Sequence, residues 1–136
     1  MFTVAVSRDF VAQHILTAGS GGAENVWHSH SYRIEVRLEG SSLDGQGYLV
    51  DITDIEARLD ALVGRYRDRT LNELPELAGL NPSLEEVARV ACQTLAAQLD
   101  VPNLQALTVA LWENANAWAA YRMEQPQINS SKGVEL

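Results

Sequence analysis

The sequence predicts an α+β domain: an antiparallel sheet with two helices on one face, in the order strand, strand, helix, helix, strand, strand. Three observations predict it. Residues 28–39 alternate with period two, so they read as a strand with one buried and one wet face. Two stretches with apolar residues at helical spacing follow, each opened by a capping residue. Two further alternating stretches close the chain, and that order suits helices segregated to one side of an antiparallel sheet. A length of 136 residues with 46% hydrophobic and 21% charged side chains fits one soluble globular domain. We read residues 1–124 as that domain and residues 125–136, which are polar and carry a proline and two serines, as a loosely ordered tail.

The elements follow in order. The first strand covers Phe2 to Ile15. Val4, Val6, Phe10, Ala12 and His14 share one parity, Arg8 is the exception, and a kink is expected near Arg8–Asp9. Thr17 to Trp27 is a glycine-rich surface loop with none of the phosphate-binding glycine patterns. In the second strand His28, His30, Tyr32, Ile34, Val36 and Leu38 face one way, and Arg33, Glu35, Arg37 and Glu39 the other. The latter group is either solvated or lines a central channel. Gly40 and Ser41–Gly45 supply turn residues, and Gly47–Val50 reads as a short return strand. Asp51 caps a helix whose apolar stripe is Ile52, Ile55, Leu59, Leu62 and Val63. A connector from Arg65 to Asn81 leads to a second helix, with Ser83 and Glu86 at capping-box spacing and a stripe of Leu84, Val87, Ala88, Ala91, Cys92, Leu95 and Leu99. In the third strand Leu107, Val109, Leu111 and Glu113 share a face, and the last strand spans Ala117 to Glu124.

Charge and composition exclude several functions. Ten Lys and Arg against 18 Asp and Glu give a net charge of −8 with no basic patch, which opposes nucleic-acid binding. The N-terminus lacks the pattern of a signal peptide, and no apolar run reaches transmembrane length. The expected compartment is the cytoplasm, without membrane association. The single cysteine, Cys92, lies on a helix stripe and reads as a buried, inert thiol rather than a nucleophile.

The chain has only three histidines, His14, His28 and His30. Two residues apart on a strand, His28 and His30 point to one face with Cα atoms about 6–7 Å apart. His14 has the matching facing at the end of a neighbouring strand. Three neutral nitrogens with an open fourth position suit a catalytic zinc ion. Glu113 is an acid on an apolar face. It is either a buried carboxylate held by backbone groups or an anchor that grips adjacent N–H donors of a ligand in bidentate fashion. Glu24, taken alone, is a solvated loop acid, and Arg67, Asp68 and Arg69 form a short wet charge run.

Together these residues resemble a known family. Phe10–His14 is similar to an F-x-A-x-H signature, His28–Tyr32 to H-G-H-x-[YF], and Gly47–Asp51 to a G-x-[VI]-x-D step into the first helix. Leu71–Asn72 and Asn81–Glu85 resemble the L-[ND] and N-P-[TS]-x-E landmarks, and Glu113 with Tyr121–Arg122 resembles the end of the pattern. The family is 6-pyruvoyl-tetrahydropterin synthase with its relative in queuosine biosynthesis, 6-carboxy-tetrahydropterin synthase. The resemblance implies the tunnelling fold, assembled as a homo-oligomeric barrel, usually a hexamer of two stacked trimers. It implies zinc on His14, His28 and His30, a pterin ring gripped at its 2-amino and N3 edge by Glu113, and a substrate of the 7,8-dihydroneopterin triphosphate class. In the family a cysteine is the general base and an Asp–His pair helps to move protons.

This sequence departs from that pattern. Glu24, four residues before His28, stands where the base cysteine belongs; Arg67 and Asp68 stand where the Asp–His pair belongs; and Ser29 replaces the central glycine of H-G-H. A branch of the family with glutamate for cysteine resembles an enzyme releasing 6-hydroxymethyl-dihydropterin. The expectation is therefore a zinc-dependent pterin lyase with altered chemistry, Glu24 moving the proton with a share for Asp68. The alternatives are that glutamate-type reaction, a pterin- or purine-binding homologue without catalysis, and a structural oligomer with a vestigial metal site.

Overall fold

The computed structural model describes residues 1–19, 21–125 and 127–128. The sheet has four antiparallel strands in sequence order: β1 (Phe2–His14), β2 (His28–Gly40), β3 (Ala106–Asn114) and β4 (Ala117–Glu124). Helices α1 (Ile52–Tyr66) and α2 (Leu84–Gln98) lie on one face, α1 over β1 and α2 over β3 and β4. This is the predicted α+β architecture.

Alternation decides which face is buried. Tyr32, Ile34, Val36 and Leu38 of β2 are sealed beneath the helices with Leu107, Val109 and Leu111 of β3. The helices contribute Ile55, Leu59, Leu62, Val63 and Tyr66 from α1, and Val87, Ala88, Ala91, Cys92 and Leu95 from α2. Asp51 caps α1 by accepting the Thr53 N–H at 2.9 Å, and Ser83 caps α2 by accepting that of Glu86 at 3.2 Å. Burial pushes the Cys92 thiol up to about 12, and its Sγ lies 3.6 Å from the Leu107 carbonyl, as an inert core thiol should.

Four expectations are corrected. The β1–β2 pairing runs unbroken from Phe2↔Gly40 to His14↔His28, with no kink at Arg8–Asp9. Arg8 keeps its inward parity because α1 offers it Glu56 at 2.9 Å and Asp60 at 2.7 Å. Residues 47–50 form no return strand: Asp44 accepts the N–H groups of Gln46 and Tyr48 and closes a turn over residues 44–48, and Gly47 takes a φ of +88°. Ile52, the first residue of α1, is half exposed rather than part of the buried stripe. Ile128, in the segment read as a loose tail, is buried in the core. Pro126 and residues 129–136 of that tail lie outside the described residues.

On the opposite face β2 presents Arg33, Glu35, Arg37 and Glu39 in a self-neutralising ladder. Arg33 pairs with Asp9, Arg37 with Glu35, and Arg122 with Glu39 and Glu124. Trp112 and Trp118 meet across β3 and β4 on this face with ring centroids 5.6 Å apart. Among the described residues no helix is long and apolar enough to cross a membrane.

Candidate metal centre

The β1–β2 register sets the three histidines together. His14 pairs directly with His28, and Ala12 with His30, so all three imidazoles leave the same face at one end of the sheet. Their ring centroids lie 4.5, 5.0 and 4.8 Å apart, and their candidate ligand nitrogens all fall within 4.8 Å of one another. His14 is 2% exposed, whereas His28 and His30 are half-buried. A group of these three alone meets the geometry for holding a metal among the described residues.

Hydrogen bonds fix two of the tautomers. His14 Nδ1 lies 2.9 Å from the Pro82 carbonyl oxygen and His28 Nδ1 lies 2.6 Å from that of Val26. A carbonyl only accepts, so each Nδ1 carries the proton and each Nε2 presents a lone pair. Those two Nε2 atoms face each other at 2.8 Å. Two lone pairs at that distance repel unless a cation or a shared proton sits between them. Two nitrogens bound to one tetrahedral zinc ion stand about 3.3 Å apart, so a shift of a few tenths of an ångström converts this pair into ligands. The donor set therefore fits zinc, and carbonyls orienting the far side of each ring are the usual support of such ligands.

Burial holds the His14 and His30 imidazoles below the ordinary histidine value. The carboxylate of Glu113 works in the opposite direction on both rings, and on His14 the Pro82 carbonyl does too. Tyr32, a buried residue of β2, stacks on its β1 partner Phe10 with centroids 5.3 Å apart and places its hydroxyl 3.3 Å from His14 Nδ1. Burial raises that phenol well above its usual range.

Glu113 joins the cluster from β3. The β3–β4 register shifts between Trp112 and Asn114, and this bulge carries Glu113 out of the ladder at the end of the strand. Its Oε2 lies 3.8 Å from His30 Nε2, and its side chain is 32% exposed. The carboxylate is partly exposed beside the histidines, so it is not the fully buried acid of the alternative reading.

The other two predicted site residues lie outside the three-histidine group. Glu24 sits in a short 3₁₀ turn of the β1–β2 loop, exposed, with its carboxylate over Gly22 and Gly19 of the same loop. Asp68 is exposed in a left-handed turn with φ +58°, its N–H bonded to the Val11 carbonyl at 2.7 Å, three residues up the strand from His14. Neither belongs to the metal-capable group. Tyr32, which alternation places on the histidine face of β2, touches the site, as does the Pro82 carbonyl, which was visible in the sequence only as a motif position. A backbone carbonyl leaves no side-chain signal.

Residues 3–124 match the family model described as 6-pyruvoyl tetrahydropterin synthase. The chain belongs to the 6-pyruvoyl tetrahydropterin synthase family. It is 24% identical over 124 residues to the 6-carboxy-5,6,7,8-tetrahydropterin synthase of Bacillus subtilis (strain 168), covering 87% of this chain and 83% of that protein. The fold superposes on the 6-pyruvoyl tetrahydropterin synthase of Caenorhabditis elegans with a TM-score of 0.76 at 20% identity, over 90% of this chain and 96% of that one. It also superposes on a Plasmodium vivax 6-pyruvoyltetrahydropterin synthase, in a catalytic-residue mutant with cysteine for glutamate, with a TM-score of 0.75 at 15% identity, over 90% and 98% of the two chains. This family's tunnelling fold is the one the sequence motifs implied, and the family acts on pterins.

Proposed function

We propose that the protein is a zinc-dependent pterin lyase acting on 7,8-dihydroneopterin triphosphate or a closely related dihydropterin. The observation that carries this reading is the convergence of the His14 and His28 Nε2 lone pairs beside His30, with Glu113 at the open side of the cluster. Zinc bound there supplies a Lewis acid that polarises side-chain oxygens of the substrate. The Glu113 carboxylate binds the adjacent 2-amino and N3 hydrogens of the pterin in bidentate fashion and orients the ring edge. Glu24 is the general base, taking a proton from the substrate side chain, and Asp68 takes part in passing it on. The Plasmodium vivax protein, whose catalytic residue is a glutamate, supports a carboxylate in the base role. In this reaction class the product is a 6-pyruvoyl- or 6-carboxy-tetrahydropterin, or 6-hydroxymethyl-dihydropterin where the carboxylate base redirects the side-chain cleavage.

The positions of Glu24 and Asp68 outside the histidine group favour one competing reading, a homologue that binds a pterin or purine without turning it over. Zinc-loaded protein incubated with 7,8-dihydroneopterin triphosphate separates the two when products are followed by chromatography. We expect turnover by the wild type and a loss of roughly 10²–10⁴-fold in Glu24→Gln, the usual worth of a positioned base. Tight binding of zinc and pterin without any product would contradict the lyase reading. Equal rates in wild type and Glu24→Gln would remove Glu24 from the mechanism.

A further inference from the structure

β1 ends at His14, where its ladder with β2 also ends, so the backbone groups of Ile15 have no partner in that ladder. One side chain satisfies both. Asn72 accepts the Ile15 N–H through Oδ1 at 2.9 Å and donates to the Ile15 carbonyl through Nδ2 at 2.9 Å. Its amide thus plays the part of a neighbouring strand at the residue that follows the most buried histidine.

The clamp continues a longer seam. Along the outer edge of β1, Asp68 N–H bonds to the Val11 carbonyl at 2.7 Å, Gln13 N–H to the Arg69 carbonyl at 2.9 Å, and Gln13 pairs with Thr70 as an isolated parallel bridge. Asn72 carries this seam one step further, past the end of the strand. The same α1–α2 connector ends at Asn81 and Pro82. Asn81 Oδ1 accepts the Thr17 N–H at 2.7 Å, and the Pro82 carbonyl accepts the His14 Nδ1–H at 2.9 Å. The connector therefore holds the His14 ring through Pro82 and the backbone of the next residue, Ile15, through Asn72.

We infer that Asn72 is a positioning residue of the histidine cluster, its side-chain amide clamping Ile15 so that His14 Nε2 is aimed at the point where His28 Nε2 converges. Without the amide, Ile15 is free to leave the edge of the connector, and the His14 ring loses the backbone position that its bond to Pro82 requires. Removing an outer support of this kind lowers metal affinity by roughly 10–100-fold.

The inference rests on the metal-binding reading above, and its test keeps the two apart. Zinc affinity is measured by competition with a chromophoric chelator for wild type, Asn72→Ala and Asp51→Ala. The last removes the α1 N-cap, far from the histidines, and serves as a stability control. We expect Asn72→Ala to weaken zinc about 10–100-fold, with a distorted cobalt(II) absorption spectrum, while Asp51→Ala binds as wild type does. A second readout needs no metal: the His14 Nδ1–H resonance, protected from solvent exchange in the chelator-treated wild type, should lose protection in Asn72→Ala. Equal zinc affinity together with equal protection in Asn72→Ala would overturn the inference. A wild type that binds no zinc would overturn the metal reading instead, and the exchange measurement would then decide the role of Asn72 alone.

Discussion

At the residue scale, burial acts on two of the three imidazoles. Desolvation disfavours the protonated ring at His14 and His30, so folding and protonation compete at both. The unfolded chain takes up protons on these side chains from about pH 6.5 downward, and the folded chain only at lower pH. The unfolded state therefore binds more protons just below pH 6.5, and stability falls as pH drops through that range, by at most about 1.4 kcal/mol per pH unit for each ring. Urea unfolding of the chelator-treated protein should show a lower midpoint at pH 5.5 than at pH 7.5; an equal or higher midpoint would contradict the desolvated histidines. The histidine trio was legible in the sequence because period two and the register of two strands suffice to bring its members together. Glu113 was half legible: its apolar parity marked it, but the bulge that aims it leaves no signature in residue types. Glu24 was marked by its spacing from His28; its backbone carbonyl accepts the Leu16 N–H at 2.8 Å, two residues past His14, while its carboxylate lies over Gly22 of the same loop.

At the scale of elements, the strands and both helices were readable because each alternates or repeats strongly and carries its own cap. The short return strand was not. Gly47–Val50 has the composition of a strand, yet Asp44 captures the local N–H groups and closes a turn before any ladder can form. The end of β2 shows how tightly elements are fitted. A Cβ on Gly40 would meet the backbone carbonyl of Asn103 and would lie 2.6 Å from Leu49 Cδ1. Of these two neighbours the carbonyl cannot yield without shifting the entry into β3. Gly40→Ala should cost about 1–3 kcal/mol, read as a lowered urea midpoint with little change in slope. An unchanged midpoint would mean that the approach of β2 to the 101–105 segment is looser than described.

At the scale of the whole molecule, β4 has no outer neighbour among the described residues, and the connector pairs with β1 at Val11 and Gln13. Long unpaired edges invite pairing between chains, and the family resemblance sets the expected assembly at two stacked trimers. Sedimentation equilibrium at micromolar concentration should give a mass corresponding to three or six chains; a monomer throughout would contradict that assembly. The fold class was legible because the order of patterns in the chain admits few layer arrangements, whereas assembly depends on edges that a single chain does not describe. Metal analysis after zinc loading and gel filtration measures whether His14, His28 and His30 form one metal centre. We expect close to one zinc ion per wild-type chain and almost none in His28→Ala at the same protein concentration; equal zinc content in the two proteins would refute the three-histidine centre.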